Sequence, residues 1–338
     1  MNLNHSNHSN GLVTTALLLA AGKGSRLYPL TQNTPKCLTM VHEVSILERL
    51  VINLSQQGFK RLVVVTGYRE KSIREFLGTQ ACGMKIDYIF SPLYATTNNI
   101  YSLWMAREII NEPFMLIESD LVFDVSLLDD MRNPDRIAVA RMQPWMNGST
   151  VTIDQAQHVK KFQNGIAGTF DDIRYKTVNI YSFSLSSWHS IIERLDQYIS
   201  AGIVNDYYEI VFAEMVTEGS LSLKIVSFDN KPWYEIDTIE DLAKAKKLFP
   251  GDEYDTTNLS NVPRHASGIL KPIFKHTMSM GREKITHPLS RLKSLPKSNS
   301  LSVSASVSSK QIHEGNIPEN EVSIKNKSRG KIHGTVQL

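Results

Sequence analysis

The run TALLLAA (15–21), opening into GKGSRLYPLTQNTPKCL (22–38), constrains this chain more than any other stretch. An apolar run without polar alternation reads as a strand buried on both faces, which belongs in the middle of a largely parallel sheet. The residues after that run decide the rest. A secretory leader, a dinucleotide fingerprint, another phosphate loop and a plain strand-turn all begin this way. LVTTALLLAAG has the length of a leader's apolar region, but MNLNHSNHSN before it contains no Lys or Arg, so the positive leader segment is missing. The dinucleotide fingerprint G-x-G-x-x-G fails at its third glycine, because Leu27 stands there, and the spacing GxxxxGK[ST] of a P-loop does not occur here.

From residue 14 to about 250, short apolar runs alternate with amphipathic segments, the pattern of βα units around a mostly parallel sheet. Strands are expected at 15–22, 61–68, 85–92 and 113–124, the last as one strand, PFMLIESDLVFD. Helices are expected at 45–58, 70–78 and 98–110. Period-two segments (RIAVARMQP, STVTIDQAQHVKKFQNG, YKTVNIYSFS) then predict hairpins or mixed strands covering one end of the sheet. Helices return at 186–202 and 207–219. SLKIVSFDNKPWYEIDT reads as a late strand pair, closed by the helix IEDLAKAKKLFP. The fold class is therefore α/β, a Rossmann-like mixed sheet flanked by helices in one domain over 14–250.

Residues 1–13 read as a disordered polar lead. Residues 251–338 read as a mostly disordered tail, with eight Ser among the sixteen residues 294–309. The tail also explains the charge. Thirteen of the 37 Lys/Arg and seven of the 34 Asp/Glu lie from residue 251 onward, so the first 250 residues carry a net −3 while the whole chain carries +3. The basic balance is thus no sign that the folded part binds nucleic acid. Cys37 and Cys82 lack metal-site spacing and are expected as free thiols in a reducing cytoplasm, with one disulfide as the alternative. No apolar run reaches the roughly 18 residues of a membrane span. Oligomeric state is left open.

A lone GxG after a strand is a weak signal; the residues beyond it strengthen it. Gly22 and Gly24 let backbone N–H groups approach a polyphosphate. Arg26 lies two residues later, and Lys36 sits beside a loop-stiffening proline. Two cations around a run of donors suit a triphosphate undergoing phosphoryl chemistry. The stretch resembles the signature G-x-G-[TS]-R-x-x-P-L-T-x-x-x-P-K of the sugar-phosphate nucleotidylyltransferase superfamily, with Ser25 at the Thr/Ser position. That resemblance implies attack of an acceptor phosphate on the α-phosphate of an NTP with release of pyrophosphate. It also implies nucleotide contacts along the loop (Ala20, Ala21, Gly22, Gly24, Ser25) and catalytic roles for Arg26 and Lys36.

Such an attack calls for Mg²⁺, which takes carboxylate and phosphate oxygens. Asp120 ends FMLIESD and Asp237 comes after PWYEI, both where strand ends deliver ligands in an open sheet. The resemblance gives both the metal. On their own residues, Asp120 is equally a strand-end turn and Asp237 a helix N-cap before TIEDLAKA.

The sequence departs from sugar-specific members: HVKKFQNG lacks their Glu-Lys-Pro segment, and ESD replaces their Gly-Asp. TTNNIYSLW, YKTVNIYSFS and PWYEIDTIEDLAKA instead resemble the subgroup of bacterial CTP:phosphocholine cytidylyltransferases and their aminoethylphosphonate relatives. That likeness implies CTP, a small phosphorylated amino alcohol or phosphonate as acceptor, and Lys176 on the acceptor's phosphate or phosphonate. An NTP:sugar-1-phosphate transferase is the alternative. Asn98 and Asn99 either read a pyrimidine edge or cap the helix that starts there. An ammonium-bearing acceptor favours aromatic faces or a carboxylate. Trp145, Tyr175, Tyr181 and Trp233 are the aromatic candidates, with plain core packing as the competing reading. Glu209 and Glu235 are possible ammonium partners, against helix-face and loop-charge readings.

Overall fold

The computed structural model describes residues 11–144, 146–163 and 173–250. The expected lead (1–13) therefore falls mostly, and the expected tail (251–338) wholly, outside the described residues, as does Trp145.

The chain runs β1 (Thr15–Ala20), α1 (Ile46–Gln56), β2 (Arg61–Thr66), α2 (Glu70–Leu77), β3 (Met84–Phe90), α3 (Asn99–Met105), β4 (Phe114–Glu118) and β5 (Leu121–Phe123). It continues with β6 (Arg136–Arg141), β7 (Thr150–Ile153), β8 (Val159–Gln163), β9 (Tyr175–Phe183), α4 (Leu185–Ser200), α5 (Glu209–Glu218), β10 (Lys224–Ser227), β11 (Trp233–Glu235) and α6 (Ile239–Leu248). The order β4-β1-β2-β3 forms a parallel core with β1 at its centre, as its uninterrupted apolar sequence requires. Alternate residues of β1 feed opposite faces. Ala16, Leu18 and Ala20 meet α1 and α2 through Leu47, Leu50, Ile73 and Leu77. Leu17 and Leu19 meet α3, α4 and α5 through Leu103, Trp188 and Phe212.

Antiparallel strands extend the sheet beyond β4. β9 pairs with β4, β6 and β7, and β8 closes the hairpin with β7. The register of β9 against β6 shifts between Thr177 and Tyr181, where Asn179 takes a left-handed φ of 60°. Such a bulge re-aims side chains that strict alternation would send to opposite faces.

Two sequence expectations need correction. Residues 113–124 do not form one strand: Ser119 and Asp120 break the run, leaving β4 in the main sheet and β5 in a separate two-stranded sheet with β11. The late strands are likewise not a pair, since β10 joins β6 and β11 joins β5. Both results have one physical cause. Each polar break at a strand end frees the next strand to turn out of the sheet, and the β5–β11 ribbon then carries Asp120 and Asp237 side by side. Among the described residues no helix is long and apolar enough to cross a membrane.

Candidate active site

A cleft of about 610 Å³ opens at the C-terminal end of β1. Its first wall is the glycine turn. Gly24 sits at φ 60°, and a Cβ there would lie 2.9 Å from the Cβ of Lys36, so only glycine lets the two parts of the loop close on each other. Gly22 has open space around its Cα, so its own position makes no such demand. Thr31 Oγ1 donates to the Gly24 carbonyl at 2.7 Å, and the Tyr68 hydroxyl donates to the carbonyls of Thr31 and Gln32, tying the loop down. Pro35 then starts the short helical turn Lys36–Leu38, which projects Lys36 back beneath the turn.

Lys36 is the centre of the charge arrangement. Its Nζ donates to Asp120 Oδ2 at 2.8 Å and to Asp237 Oδ1 at 2.6 Å, and Arg26 Nη2 reaches the same Asp237 oxygen at 2.9 Å. Burial alone lowers the pKa of Lys36, but the two carboxylates outweigh it and hold the ammonium charged far above neutrality. Residues 84 and 201 positions away from Lys36 in sequence thus converge on one atom. The N-cap of α6 is Thr238, closing a capping box with Asp241. Asp237 is therefore not the cap, and its carboxylate is turned to the cations.

The same carboxylates fit a divalent cation. Asp120 Oδ1 is buried and has no hydrogen-bond partner among the described residues, a costly state unless a cation or water meets it. No cluster of three or more His, Cys, Asp or Glu suited to a metal occurs among the described residues. Two carboxylates with the remaining positions left to phosphates and water are the donor set Mg²⁺ takes at such sites.

The opposite end of the cleft is acidic. Lys176, 3% exposed, lies 3.3 Å from Glu235 Oε2 and donates to the Thr177 carbonyl at 2.6 Å. Asn179 Nδ2 donates to Glu235 Oε1 at 3.4 Å. Lys176 and Asn179, of opposite strand parity, both line the cleft because of the bulge between them. Glu209 Oε2 is buried with no hydrogen-bond partner among the described residues. Burial first, with Glu235 and Asp206 adding to it against the attraction of Lys176, pushes the Glu209 carboxyl up to about 7. Burial, with Asp120 and Glu209 nearby, raises Glu118 well above the usual carboxylate range.

Asn98 and Asn99 both line the cleft. Asn98 Oδ1 caps α3 by accepting from Asn99 N at 2.8 Å, the capping alternative. Asn99 holds two walls together: its Nδ2 donates to Glu118 Oε1 at 3.1 Å, and its Oδ1 accepts from Tyr208 N at 3.0 Å. Ala21, Gly22, Gly24 and Ser25 line the cleft, whereas the Ala20 side chain packs in the core under β1.

The aromatic acceptor candidates fare differently. Tyr181 is fully buried, stacked on Phe183 at 6.0 Å and edge-on to Tyr208 and Phe212, so it is a core residue. Tyr175 packs half-buried against the same core, and Trp233 lines a second cavity instead of the cleft. Trp145 lies outside the described residues. The aromatics that do line the cleft, Tyr94 and Tyr207, are ones that sequence reasoning misses. Gly67 is the available signal for Tyr94: a Cβ there would sit 2.6 Å from the Tyr94 Cβ, so the glycine admits that ring. Glu118 is signalled by its place two residues before Asp120, on the same face of the strand end.

The chain is similar to several known proteins. The family described as Nucleotidyl transferase matches residues 15–165. A CMP-5'-(3-aminopropyl)phosphonate synthase of Streptomyces rubellomurinus is 29% identical over 268 residues, covering 76% of this chain and 40% of its own length. This chain thus spans about two fifths of that relative. A choline-phosphate cytidylyltransferase of Streptococcus pneumoniae is 25% identical over 243 residues, covering 70% of this chain and 99% of its own. The solved structure of the CTP:phosphocholine cytidylyltransferase of Streptococcus pneumoniae superposes with a TM-score of 0.58 at 22% identity, over 70% of this chain and 98% of that one, which establishes the shared fold. Residues 15–165, which hold the glycine turn, Lys36 and Asp120, match the Nucleotidyl transferase family, and the chain is similar to transferase enzymes.

Proposed function

We propose that the chain is a Mg²⁺-dependent cytidylyltransferase that moves CMP from CTP to a small phosphate or phosphonate carrying an amine. The observation that carries this reading is the Lys36 ammonium shared by Asp120 and Asp237 beneath the glycine turn, with Asp120 Oδ1 buried and unpartnered among the described residues. CTP lies with its phosphates along Ala21–Ser25, whose backbone N–H groups donate to the phosphate oxygens. An oxygen of the acceptor's phosphate or phosphonate forms a bond to the α-phosphorus. The bond from that phosphorus to the oxygen bridging to the β-phosphate breaks, and pyrophosphate leaves with the electron pair.

Arg26 and Lys36 offset the charge that builds on the α-phosphate and the leaving group. Bound Mg²⁺ supplies Lewis-acid polarisation of the phosphate oxygens, held by Asp120 and Asp237. Asn98 and Asn99 stand on the wall where the nucleotide base lies, with Asn99 bracing Glu118. Lys176 orients the acceptor's anionic end, and the recessed carboxylates Glu209 and Glu235 take its amine. Tyr207 and Tyr94 supply the aromatic surface of the cleft in place of Tyr175, Tyr181 and Trp233.

The test is pyrophosphate release with CTP and a panel of acceptors. Turnover with an aminoalkylphosphonate or phosphocholine is expected; turnover confined to a sugar 1-phosphate would return the chain to the sugar-transferring branch of the superfamily.

A further inference from the structure

A second cavity, of about 520 Å³, is lined by Trp233 and Tyr234 of β11. Its floor is apolar: Phe228 is fully buried, Trp233 is half-buried, and Leu248 is 43% exposed. Its rim carries four cations, Arg141, Lys231, Lys244 and Lys247, against one acid, Asp229. That acid is already engaged, accepting from the Arg141 backbone N–H at 2.7 Å and from Ser227 Oγ at 2.9 Å. Lys231 stands 3.8 Å from Asp124 and Lys244 4.0 Å from Asp241, both long and exposed pairs that contribute little. Arg141 and Lys247 enter no ion pair among the described residues. An aromatic floor under a cationic rim selects an occupant with an aromatic body flanked by carboxylates.

The chain itself continues with such a sequence. α6 contributes Lys244, Lys247 and Leu248 to the cavity wall, and GDEYD (251–255) comes directly after Pro250. Three of the seven acidic residues beyond position 250 fall within these five residues, around Tyr254, although that stretch as a whole is net basic. Tyr254 lies six positions beyond Leu248, a reach of up to about 20 Å.

We propose that this cavity seats the chain's own segment 252–255, with Tyr254 against Trp233 and the flanking Asp252, Glu253 and Asp255 on the cationic rim. β11 runs from the cavity to the cleft: Trp233 and Tyr234 line the cavity, and Glu235 and the nearby Asp237 line the cleft. Docking therefore braces the strand that delivers both carboxylates. The proposal rests on the cavity and its charge, and it stands apart from the identity of the acceptor.

The test is disulfide trapping in the full-length chain. With Cys82→Ser as background, Thr256→Cys, which leaves Tyr254 in place, and Gln143→Cys, at the cavity edge, are oxidised mildly and the intramolecular bond is read by peptide mass. The bond is expected to form readily, and far less when Glu240→Cys on the exposed start of α6 replaces Gln143→Cys. Reversing the segment's charge (Asp252→Lys, Glu253→Lys, Asp255→Lys) should lower the yield roughly fivefold, and adding Lys244→Glu with Lys247→Glu should restore it. Unchanged yield on reversal, failure of the swap to restore it, equal trapping at Glu240→Cys, or bonding only between two molecules overturns the proposal.

Discussion

The two ends of the cleft are built in opposite ways. The phosphate end takes its loop, its glycine and both cations from one contiguous stretch, residues 20–36, and adds two aspartates at strand ends. The acceptor end draws Lys176 and Asn179 from a bulged strand, Glu209 from the first turn of α5 and Glu235 from the end of a ribbon strand. At the phosphate end cations are surrounded by carboxylates and left charged. At the acceptor end carboxylates outnumber cations, and burial pushes Glu118, Glu209 and Glu235 all upward. In the proposed function the first end holds the triphosphate and the second receives the acceptor's amine.

The largest expected effect breaks the phosphate end. Lys36→Ala or Asp120→Asn should cost on the order of 100-fold or more in kcat, with the fold intact by circular dichroism, because each removes a contact made to charge that develops in the reaction. Near-normal turnover in both variants would dismantle that half of the comparison.

Next in size is Lys176→Met at the other end. It strips the buried cation from Glu235 and Glu209, so acceptor KM should rise roughly tenfold or more while CTP KM stays nearly unchanged. A thermal melt should show a loss of several kcal/mol, about 3–5 for a buried pair that loses one partner.

A smaller, pH-shaped effect belongs to Glu209. With a carboxyl near 7 facing Lys176, Glu235, Glu118 and Asp206, it is neutral below that pH and charged above it. The affinity for an amine-bearing acceptor should therefore rise from pH 6 to 8, and Glu209→Gln should flatten that rise. The sign for stability is the reverse. A carboxyl raised on folding favours the native state below its unfolded value near 4.5, and that contribution is lost as pH climbs toward 7. Urea unfolding of the wild type and Glu209→Gln across this window checks it.

The smallest effect is Tyr181→Phe. Removing a hydroxyl from a ring packed in the core should leave acceptor KM within about twofold, and a larger change would put Tyr181 back at the acceptor.

The same contrast explains what is legible in the sequence. β1 and the glycine turn are readable because an uninterrupted apolar run can only be central, and because Arg26 and Lys36 stand at fixed distances along one loop. Asp120 and Asp237 are readable as strand ends, although the break at Ser119 that moves β5 into a second sheet is not. The acceptor end resists because period-two reasoning assigns each residue of 175–183 to a face, and the bulge at Asn179 cancels that assignment. Tyr181 and Trp233 look equivalent in sequence, yet one completes an aromatic core and the other floors a separate cavity. Glu209 reads as a helix-face charge, and only the fold shows α5 beginning inside the cleft.

The most direct measurement traces the label of α-labelled CTP in the presence of Mg²⁺ and an aminoalkylphosphonate. Label recovered on the phosphonate as its CMP anhydride, with one pyrophosphate per transfer and loss of both in Lys36→Ala, is the predicted result. Label that moves only to a sugar 1-phosphate, or that stays on CTP with every acceptor while CTP still binds, would contradict it.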